Sequence, residues 1–530
     1  MSAAEGWKCS RVWVSTFMRS NSGRAARWHL AVDFGAQSGR SLLGSCDGNM
    51  IKLRELSRFP TRTVEMNGSL HWDVLDMYRN VEEALLAAAS EAGSGLVSAG
   101  VDAWAVDFGL LDNRGALLGI PYHYRDTRTL GAVASLLGEV SAGTIYGETG
   151  IQFMEANTVC QLMSMRGSST LAAADQLLLL PDLFAWWLTG DRRAEATNAV
   201  ATQLFSQRTG DWAYGLVDAL NLPGGILPPV VRTGATAVPV RRDVAARLSL
   251  APSFRVATVA SHDTASAIAA VPAAEPGFAF ISSGTWSLVG IDTHGPLLTS
   301  AAMKANATNQ LTADGRNALL VNVMGLWLLE QCRLEWAAEG RTVSADRAVE
   351  LASAAGPASA LFDPDQVDFF RPGPMVDRIR AVCAGDSVGI RDAGDVVRVI
   401  LESLACKYRL VLDRLGELTG TSLRQLHVVG GGGKNSLLCQ LTADYVGVPV
   451  IVGPIEATGF GNIALQALAD ETLGTHCDIR EVVRRSTPLK TYVPGPQRRR
   501  YDDRYAEFRN RLEHPEPGVA SLPQVRGARS

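Results

Sequence analysis

The segment Ala260–Ser266 holds the residues best suited to acid–base chemistry. It joins an apolar strand, Arg255–Ala260, to an alanine-rich helix and carries His262, Asp263 and Thr264 in a row. Open α/β sheets bind ligands at the carboxyl ends of their strands, so Asp263 is placed to accept a proton from a hydroxyl that attacks a phosphate. The simpler alternative is that Asp263 is only the N-cap of the following helix. Further polar groups that could bind a sugar are the side chains of Trp104, Asp107, Asn157 and Gln161.

The glycine-containing turn that follows Asp33 is a candidate phosphate-binding turn. Gly35 and Gly39 permit positive φ angles and a close approach of the backbone to a phosphate. Ser38 adds a hydroxyl donor and Arg40 adds a cation. Asp33 itself, at the end of a strand, is placed to hold Mg²⁺ directly or through water.

Two further turns extend this pattern. Ser282–Thr285 joins two strands, and the glycine run Gly430–Gly433 lies between a strand and a helix whose expected N-cap is Asn435. Each glycine costs about 0.5–1 kcal/mol of ordering relative to alanine, which close approach to a flat ligand such as adenosine would offset. The spacing matches neither a P-loop nor a dinucleotide-binding fingerprint. Three such turns, spread over both halves of the chain, favour ATP bound between two lobes.

The order of strands and helices predicts an α/β protein with two related lobes. A strand, a turn of small residues and a second strand occur at His29–Gly44 and again at Phe278–Gly290. Helices are predicted at Val81–Ala92 and Asp395–Leu415, and the apolar stretch Leu177–Leu188 is predicted to be a buried helix. Alternating strands and helices favour α/β sheets over a β sandwich.

The breaker-rich stretch Pro272–Gly277 indicates a boundary between the lobes. The predicted units are an N-terminal extension expected to be disordered, a first lobe, a second lobe and a C-terminal tail, at residues 1–28, 29–271, 272–490 and 491–530. The extension is basic and lacks a long apolar segment, which disfavours a signal peptide. A transit-like segment and a start codon placed too early both stay open.

The composition excludes several function classes. Among 530 residues the formal net charge is −4, so the chain lacks the basic character of a nucleic-acid-binding or membrane-binding protein. No apolar run reaches the ~20 residues of a membrane-spanning helix. We expect a cytoplasmic protein, monomeric or weakly dimeric, whose eight cysteines are free buried thiols.

Several longer strings resemble the FGGY carbohydrate kinases, and within that family the rhamnulokinases. They are Ala31–Arg40, Tyr124–Arg128, Thr149–Gln152, Ser261–Ser266, Ile281–Ser287, Met324–Leu329, Val429–Gly432 and Ala457–Asn462. These strings follow the family's order from about residue 29 to 490. The resemblance implies two actin-like (ribonuclease H-like) lobes around a hinged cleft, the first lobe binding sugar and the second binding nucleotide.

The resemblance further implies transfer of the γ-phosphate of MgATP to O1 of L-rhamnulose. In that assignment Asp263 accepts the proton of the attacking hydroxyl, and the ketose is contacted by Ala105, His262, Thr264 and Asn322, as well as by Asp263. The implied ATP contacts, with Asp33 near the metal, are Ala36, Gln37, Ser38, Gly39, Arg40, Thr285, Glu330 and Gly431.

Two positions depart from the family pattern. A sugar-facing glycine of the family is Ala105 here, and its methyl group narrows the pocket or alters the sugar preference. A nucleotide-side glutamine is Glu330, a carboxylate that phosphates repel unless a metal links the two. A kinase for a related ketose, such as L-fuculose or L-xylulose, therefore stays open. So does an actin-like ATP-binding module without sugar transfer.

Overall fold

The computed structural model describes residues 27–384 and 389–513, so residues 1–26 of the predicted extension and 514–530 of the predicted tail lie outside the described part. The strands, in chain order, are β1 (Trp28–Phe34), β2 (Ser38–Cys46), β3 (Ile51–Pro60), β4 (Thr63–Met66), β5 (Ser69–Trp72), β6 (Leu96–Ala103), β7 (Phe108–Leu111), β8 (Gln176–Leu179), β9 (Ala194–Glu195), β10 (Phe205–Ser206), β11 (Asp211–Trp212), β12 (Val230–Val231), β13 (Ala237–Pro239), β14 (Arg255–Ala257), β15 (Ala279–Ser283), β16 (Trp286–Thr293), β17 (Thr308–Leu311), β18 (Asn317–Met324), β19 (Leu426–Val429), β20 (Val450–Val452) and β21 (Lys490–Tyr492).

The α-helices, again in chain order, are α1 (Val74–Ala92), α2 (Ala132–Glu139), α3 (Ala142–Thr149), α4 (Thr158–Ser164), α5 (Ser169–Ala172), α6 (Leu180–Thr189), α7 (Ala196–Ala199), α8 (Tyr214–Ala219), α9 (Arg242–Arg247), α10 (Asp263–Ala269), α11 (Ser300–Lys304), α12 (Trp327–Ala338), α13 (Ala345–Ala354), α14 (Met375–Val382), α15 (Ala393–Thr419), α16 (Ser436–Val446), α17 (Ala457–Ala469), α18 (His476–Ser486) and α19 (Arg498–Glu513).

The first lobe is built on a six-stranded sheet in the order β13-β14-β6-β1-β2-β3. Strands β1, β2 and β3 form an antiparallel meander, whereas β6 runs parallel to β1 and β14 parallel to β6. β1 and β6 are buried along almost their whole length, as expected for strands covered by helices on both faces. The register places Asp33 of β1 opposite both Arg40 and Asp102. Three charged side chains therefore meet at one end of this sheet.

The second lobe repeats the arrangement of the first. Its seven-stranded sheet has the order β17-β18-β16-β15-β19-β20-β21. Here β15, β16 and β18 form the antiparallel meander, and β19 and β20 continue from β15 as parallel strands. The order β18-β16-β15-β19-β20 thus matches β3-β2-β1-β6-β14. The predicted duplication and the two-lobed α/β fold are confirmed, and each lobe opens with the predicted hairpin.

Helices α10 and α17 join the lobes. α17 follows the second sheet in sequence but packs on β1, β2 and β6 of the first sheet and against α10. A Cβ atom on Gly461 would lie 1.9 Å from the carbonyl oxygen of Ser266, and one on Gly459 would lie 2.1 Å from the Leu42 side chain. Along the same helix Asn462 donates to Asp102 at 2.5 Å. The backbones of α17 and α10 are therefore in direct contact where the two lobes meet.

The structure corrects three local predictions. The apolar stretch Leu177–Leu188 is divided, because its first residues form β8 against β7 and only the remainder forms α6. The strand expected at Arg255–Ala260 ends at Ala257. Gly35 and Gly39 do not adopt positive φ angles; a Cβ at Gly39 would overlap the Phe59 ring at 2.1 Å, so this glycine provides space rather than an unusual turn.

Other features bear on the predicted units. Pro272–Gly277 lies between α10 and β15 without regular structure, and residues 491–513 of the predicted tail carry the end of β21 and α19, whose Tyr505 and Phe508 are buried in the second-lobe core. Within the described ranges every cysteine is free, and all but Cys477 are buried. Among those residues no helix is both long and apolar enough to span a membrane.

The contact between α17 and α10 gives the first prediction. Gly461→Ala forces a methyl group against the Ser266 carbonyl, so we expect a loss of about 1–3 kcal/mol in the free energy of unfolding. Gly147→Ala is the matched control, because a Cβ there meets nothing within 4 Å and the helical position gains about 0.5–1 kcal/mol. Urea unfolding of both variants checks this. An unchanged midpoint for Gly461→Ala would show that α17 shifts freely.

Candidate functional site

A cavity of about 380 Å³ lies between the two lobes and is lined by residues of both. The structure brings to its walls the predicted phosphate turn, the segment His262–Thr264 and both second-lobe turns. The sequence-predicted site residues that line it are Asp33, Ala36, Ser38, Arg40, Ala105, His262, Asp263, Thr264, Thr285, Asn322 and Gly431. Residues distant in sequence by almost 400 positions thus face one space.

Three of the predicted ATP contacts are placed elsewhere. Gln37 is exposed, and its side-chain oxygen accepts a long hydrogen bond of 3.4 Å from the Thr285 hydroxyl. Gly39 is covered by Phe59. Glu330 pairs with Arg333 one turn further along α12 and does not line the cavity. Its carboxylate is therefore engaged with Arg333 outside the cavity.

Asp263 begins α10 but does not cap it. The N-cap residue is His262, whose side chain makes no capping hydrogen bond, so the capping alternative for Asp263 is wrong. The Asp263 side chain keeps 29% of its surface accessible and accepts one hydrogen bond from Thr264 Oγ1 at 3.1 Å. Burial raises the pKa of Asp263; His262 acts in the opposite direction and Asp33 adds to the rise. The carboxylate is therefore a stronger base than a solvated aspartate.

The loop that carries Asp263 is held by Glu195, a residue that the sequence did not indicate. This buried carboxylate accepts hydrogen bonds from the Ser261 amide at 3.0 Å, the Thr197 amide at 3.0 Å and the Thr233 hydroxyl at 2.6 Å. Burial raises the pKa of Glu195, and the surrounding donors oppose that rise. Because Glu195 fixes the backbone, the Asp263 carboxylate is left available to the cavity.

Arg40 is the cation of the phosphate turn and is gripped by both lobes. Its Nε and Nη2 atoms donate to Asp33 Oδ2 at 2.8 and 2.6 Å. The same guanidinium pairs with Glu456, which precedes α17 in the second lobe. Asp102 lies beneath this pair, fully buried, and its Oδ1 has no partner among the described residues. Burial, and then the neighbouring Asp33, raise the pKa of Asp102 well above its usual range.

The second-lobe turns are shaped by their own packing. A Cβ on Gly430 or Gly432 would meet Ser283, at 2.8 and 2.0 Å, and one on Gly433 would meet Val452 at 2.8 Å. Only at Gly431 would a Cβ meet nothing within 4 Å. The glycine run is thus explained mainly by strand packing, with Gly430 and Gly431 left to line the cavity. Asn435 caps α16 as predicted, accepting from the Leu438 amide at 2.9 Å.

The remaining wall is formed by first-lobe residues around Ala105. Val106 has a φ of 75°, a costly conformation for a β-branched residue, and its carbonyl accepts from the Thr158 hydroxyl at 2.7 Å. Asp107 is buried and bonded to Trp72, Trp104 and Gln161. Neither Asp107 nor Gln161 lines this cavity, whereas Trp104 does.

Across the cavity Asn322 is oriented by Gln152, whose Oε1 accepts from both the amide and the side chain of Asn322 at 3.1 Å. Gln152 and Asn157 also line the cavity. Of these two residues, the sequence had indicated Asn157 as a polar group for a ligand. Gln152 lies at the end of one of the quoted strings, whereas nothing in the sequence distinguished Glu195 or Gln310 from other polar residues.

Within the described part of the chain, no three or more His, Cys, Asp or Glu side chains form a ready metal cluster. Mg²⁺ does not require one, because it commonly takes one or two carboxylates together with waters and substrate phosphates. Asp33 lines the cavity and uses only Oδ2 for Arg40 in the hydrogen bonds described above. A single carboxylate of this kind fits a magnesium–nucleotide complex.

Comparison with known proteins supports a single family. Sequence models of the FGGY family of carbohydrate kinases match this chain at residues 28–269 for the N-terminal domain and 279–469 for the C-terminal domain. A rhamnulokinase of Bacteroides thetaiotaomicron is 39% identical over 490 residues, covering 91% of this chain and 98% of the relative. A rhamnulokinase of Pectobacterium carotovorum is 38% identical over 478 residues, covering 88% and 92%.

Solved structures support the same fold. A gluconate kinase from Lactobacillus acidophilus has a TM-score of 0.75 at 16% identity, covering 93% of this chain and 99% of its own. A xylulose kinase from the same organism has a TM-score of 0.74 at 16% identity, covering 92% and 99%. At such identities the likeness establishes the two actin-like lobes alone. Together with the sequence matches, it shows that this chain belongs to the FGGY family of carbohydrate kinases.

Proposed function

We propose that the chain transfers the γ-phosphate of MgATP to O1 of L-rhamnulose, giving L-rhamnulose 1-phosphate and ADP in rhamnose catabolism. The observation that carries this proposal is the position of Asp263, an accessible carboxylate in the cavity between the phosphate turn and the sugar-facing residues. The choice of L-rhamnulose is supported by the two rhamnulokinases that resemble the chain over about nine-tenths of its length. We further propose that the enzyme is cytoplasmic, since ATP is available in that compartment. We also propose that it is monomeric or weakly dimeric.

In this mechanism Asp263 accepts the proton of the O1 hydroxyl as the oxygen attacks the γ-phosphorus. A positioned base contributes about 10²–10⁴ in rate, and the pKa raised by burial suits Asp263 to that task. His262 and Asn322 hold the ketose, while Thr285, Gly431 and the turn around Ser38 hold the phosphates. Phosphoryl transfer depends mainly on such positioning and on charge stabilisation.

Asp33 is the residue that would hold Mg²⁺. When bound, the ion supplies positive charge that neutralises the phosphate oxygens. Arg40 provides a second cation beside Asp33, and its contact with Glu456 ties the phosphate turn to the opposite lobe. Because Glu456 brings a further carboxylate beside Arg40, nucleotide phosphates need both cations to enter this end of the cavity.

A related ketose is the alternative substrate, and Ala105 is the observation that supports it. The residue lines the cavity where the family pattern has glycine, so its methyl group occupies space on the sugar side. An ATP-binding module without sugar transfer is distinguished by Asp263, because such a module needs no base in the cavity.

We expect Asp263→Asn to lower ketose-dependent kcat by at least 10²-fold while ATP still binds. Its stability at pH 7 should not fall, because a carboxylate whose folded pKa is raised destabilises the folded state when ionised. Asp182→Asn is the matched control: Asp182 also has a raised pKa, but it is buried and does not line the cavity. Coupled assay of ADP release, ATP titration and thermal unfolding test this. Retention of most ketose-dependent activity in Asp263→Asn contradicts the proposal.

The raised pKa of Asp263 also sets the acid limit of activity. A carboxylate with a raised pKa gains its proton, and stops acting as a base, at a higher pH than a solvated aspartate with a pKa of about 3.9. We therefore expect log(kcat/KM) for the ketose to decline with falling pH through an apparent pKa above that value. Circular dichroism at each pH separates this decline from unfolding. Constant activity down to the unfolding pH would count against Asp263 as the base.

Ala105→Gly tests the sugar-side wall. Removing the methyl group enlarges the pocket, so kcat/KM should rise for L-rhamnulose relative to the smaller L-xylulose, by up to about tenfold. The KM for ATP should stay within about twofold of wild type. Ala354→Gly, at an exposed position that does not line the cavity, controls for added backbone freedom. An unchanged preference between the two ketoses would mean that Ala105 does not face the sugar.

A further inference from the structure

Gln310 connects the second lobe to the catalytic loop of the first. It lies on β17 and is buried, with 1% of its surface exposed. Its Oε1 lies 2.9 Å from His262 Nδ1. Its Nε2 lies 2.7 Å from the Thr197 carbonyl oxygen and 3.0 Å from that of Leu311. No part of the proposed mechanism above uses this residue.

These contacts determine which way the Gln310 amide points. Carbonyl oxygens only accept hydrogen bonds, so the two that face one end of the amide require the NH₂ group there. The amide oxygen must then face His262 Nδ1. An amide oxygen is also only an acceptor, and Nδ1 therefore carries a hydrogen in this arrangement.

The opposite ring nitrogen of His262 faces Asp263 and the cavity. Burial lowers the pKa of His262 and so favours the neutral imidazole, although Asp263 opposes this. A neutral ring with a hydrogen on Nδ1 has a lone pair on Nε2. That atom lies 3.5 Å from Asp263 Oδ1, so two hydrogen-bond acceptors stand side by side. Two acceptors are satisfied together when a ligand supplies two hydroxyl donors.

We propose that Gln310 is a positioning residue that fixes His262 in the Nδ1–H tautomer, so that Nε2 accepts a hydrogen bond from a substrate hydroxyl near the one that Asp263 deprotonates. The proposal rests on the proposed function for the identity of the ligand, a ketose with several hydroxyl groups. The proposal adds the requirement that the ligand place a hydrogen-bond donor at Nε2. A carbonyl or ether oxygen at that position would be repelled by the Nε2 lone pair. Glu195 supports the same arrangement through Thr197, whose amide it binds at 3.0 Å.

The tautomer is measured directly in the wild-type protein. Two-bond ¹H–¹⁵N correlation spectra of ¹⁵N-histidine-labelled protein, without ligand and at neutral pH, separate the two neutral tautomers and the charged form. The His262 signals are assigned by their loss in His262→Asn. We expect a hydrogen on Nδ1 and none on Nε2. A hydrogen on Nε2, or on both nitrogens, overturns the proposal whether or not Gln310→Met folds.

Gln310→Met removes the amide while keeping a side chain of similar length. We expect the Nδ1–H tautomer to lose its dominance and kcat/KM for L-rhamnulose to fall about tenfold or more, since Nε2 no longer presents only a lone pair. The KM for ATP should stay within about twofold. The matched control is Gln207→Met, because Gln207 also bonds a carbonyl of β17, that of Asn309 at 2.6 Å, but does not touch His262 in the hydrogen bonds described. Equal losses in both variants would reveal a merely structural role.

Analogues of L-rhamnulose that lack O3, O4 or O5 in turn complete the test. One of them should lose at least about tenfold in kcat/KM with the wild-type enzyme and show no further loss with Gln310→Met, because the contact is already gone. Equal losses in the two enzymes for every analogue contradict the proposal. If the wild-type enzyme phosphorylates no ketose, the proposed function fails, while the tautomer measured without ligand still decides the role of Gln310.

Discussion

The cleft depends on a partly buried carboxylate, that of Asp263, which stays accessible to a ligand. The Asp263 carboxylate accepts a hydrogen bond from its neighbour Thr264, whereas the backbone beside it is fixed by Glu195 through Ser261. Because Glu195 holds the backbone in place, the Asp263 carboxylate stays accessible. Glu195 can hold the backbone because several donors bind its carboxylate, and hydrogen bonds to a charged group are about twice as strong as neutral ones.

The internal duplication gives the two lobes the same strand order but different chemistry. The turn of the first hairpin ends beside Asp33 and Arg40, a charged pair, whereas the turn of the second consists of the uncharged Gly284 and Thr285. The first-lobe wall of the cleft therefore carries the charged side chains, whereas the second-lobe turn presents backbone groups. The nearby Glu456 is the exception, because it brings a second-lobe carboxylate to the first-lobe arginine.

Local patterns in the sequence predicted the parts of the site that depend on neighbours in the chain. The two hairpins, the start of α10 near Asp263 and the cap at Asn435 each follow from a few consecutive residues. Contacts between distant segments were not predictable in this way. Gln310 approaches His262 from 48 positions away and Glu195 approaches Ser261 from 66 positions away. Gly432 shows the same limit, because its need for space comes from Ser283 on another strand rather than from a ligand.

The close crossing of α17 over α10 has a consequence for how the cleft opens. Gly461 brings the two helix backbones together at Ser266, one turn from the residue that begins α10. A contact without intervening side chains leaves the two helices little room to separate, so we expect any relative rotation of the lobes to pivot close to Asp263. In such a rotation the outer rims of the cleft would move furthest and the Asp263 carboxylate least, and substrates would meet a base that is already in place.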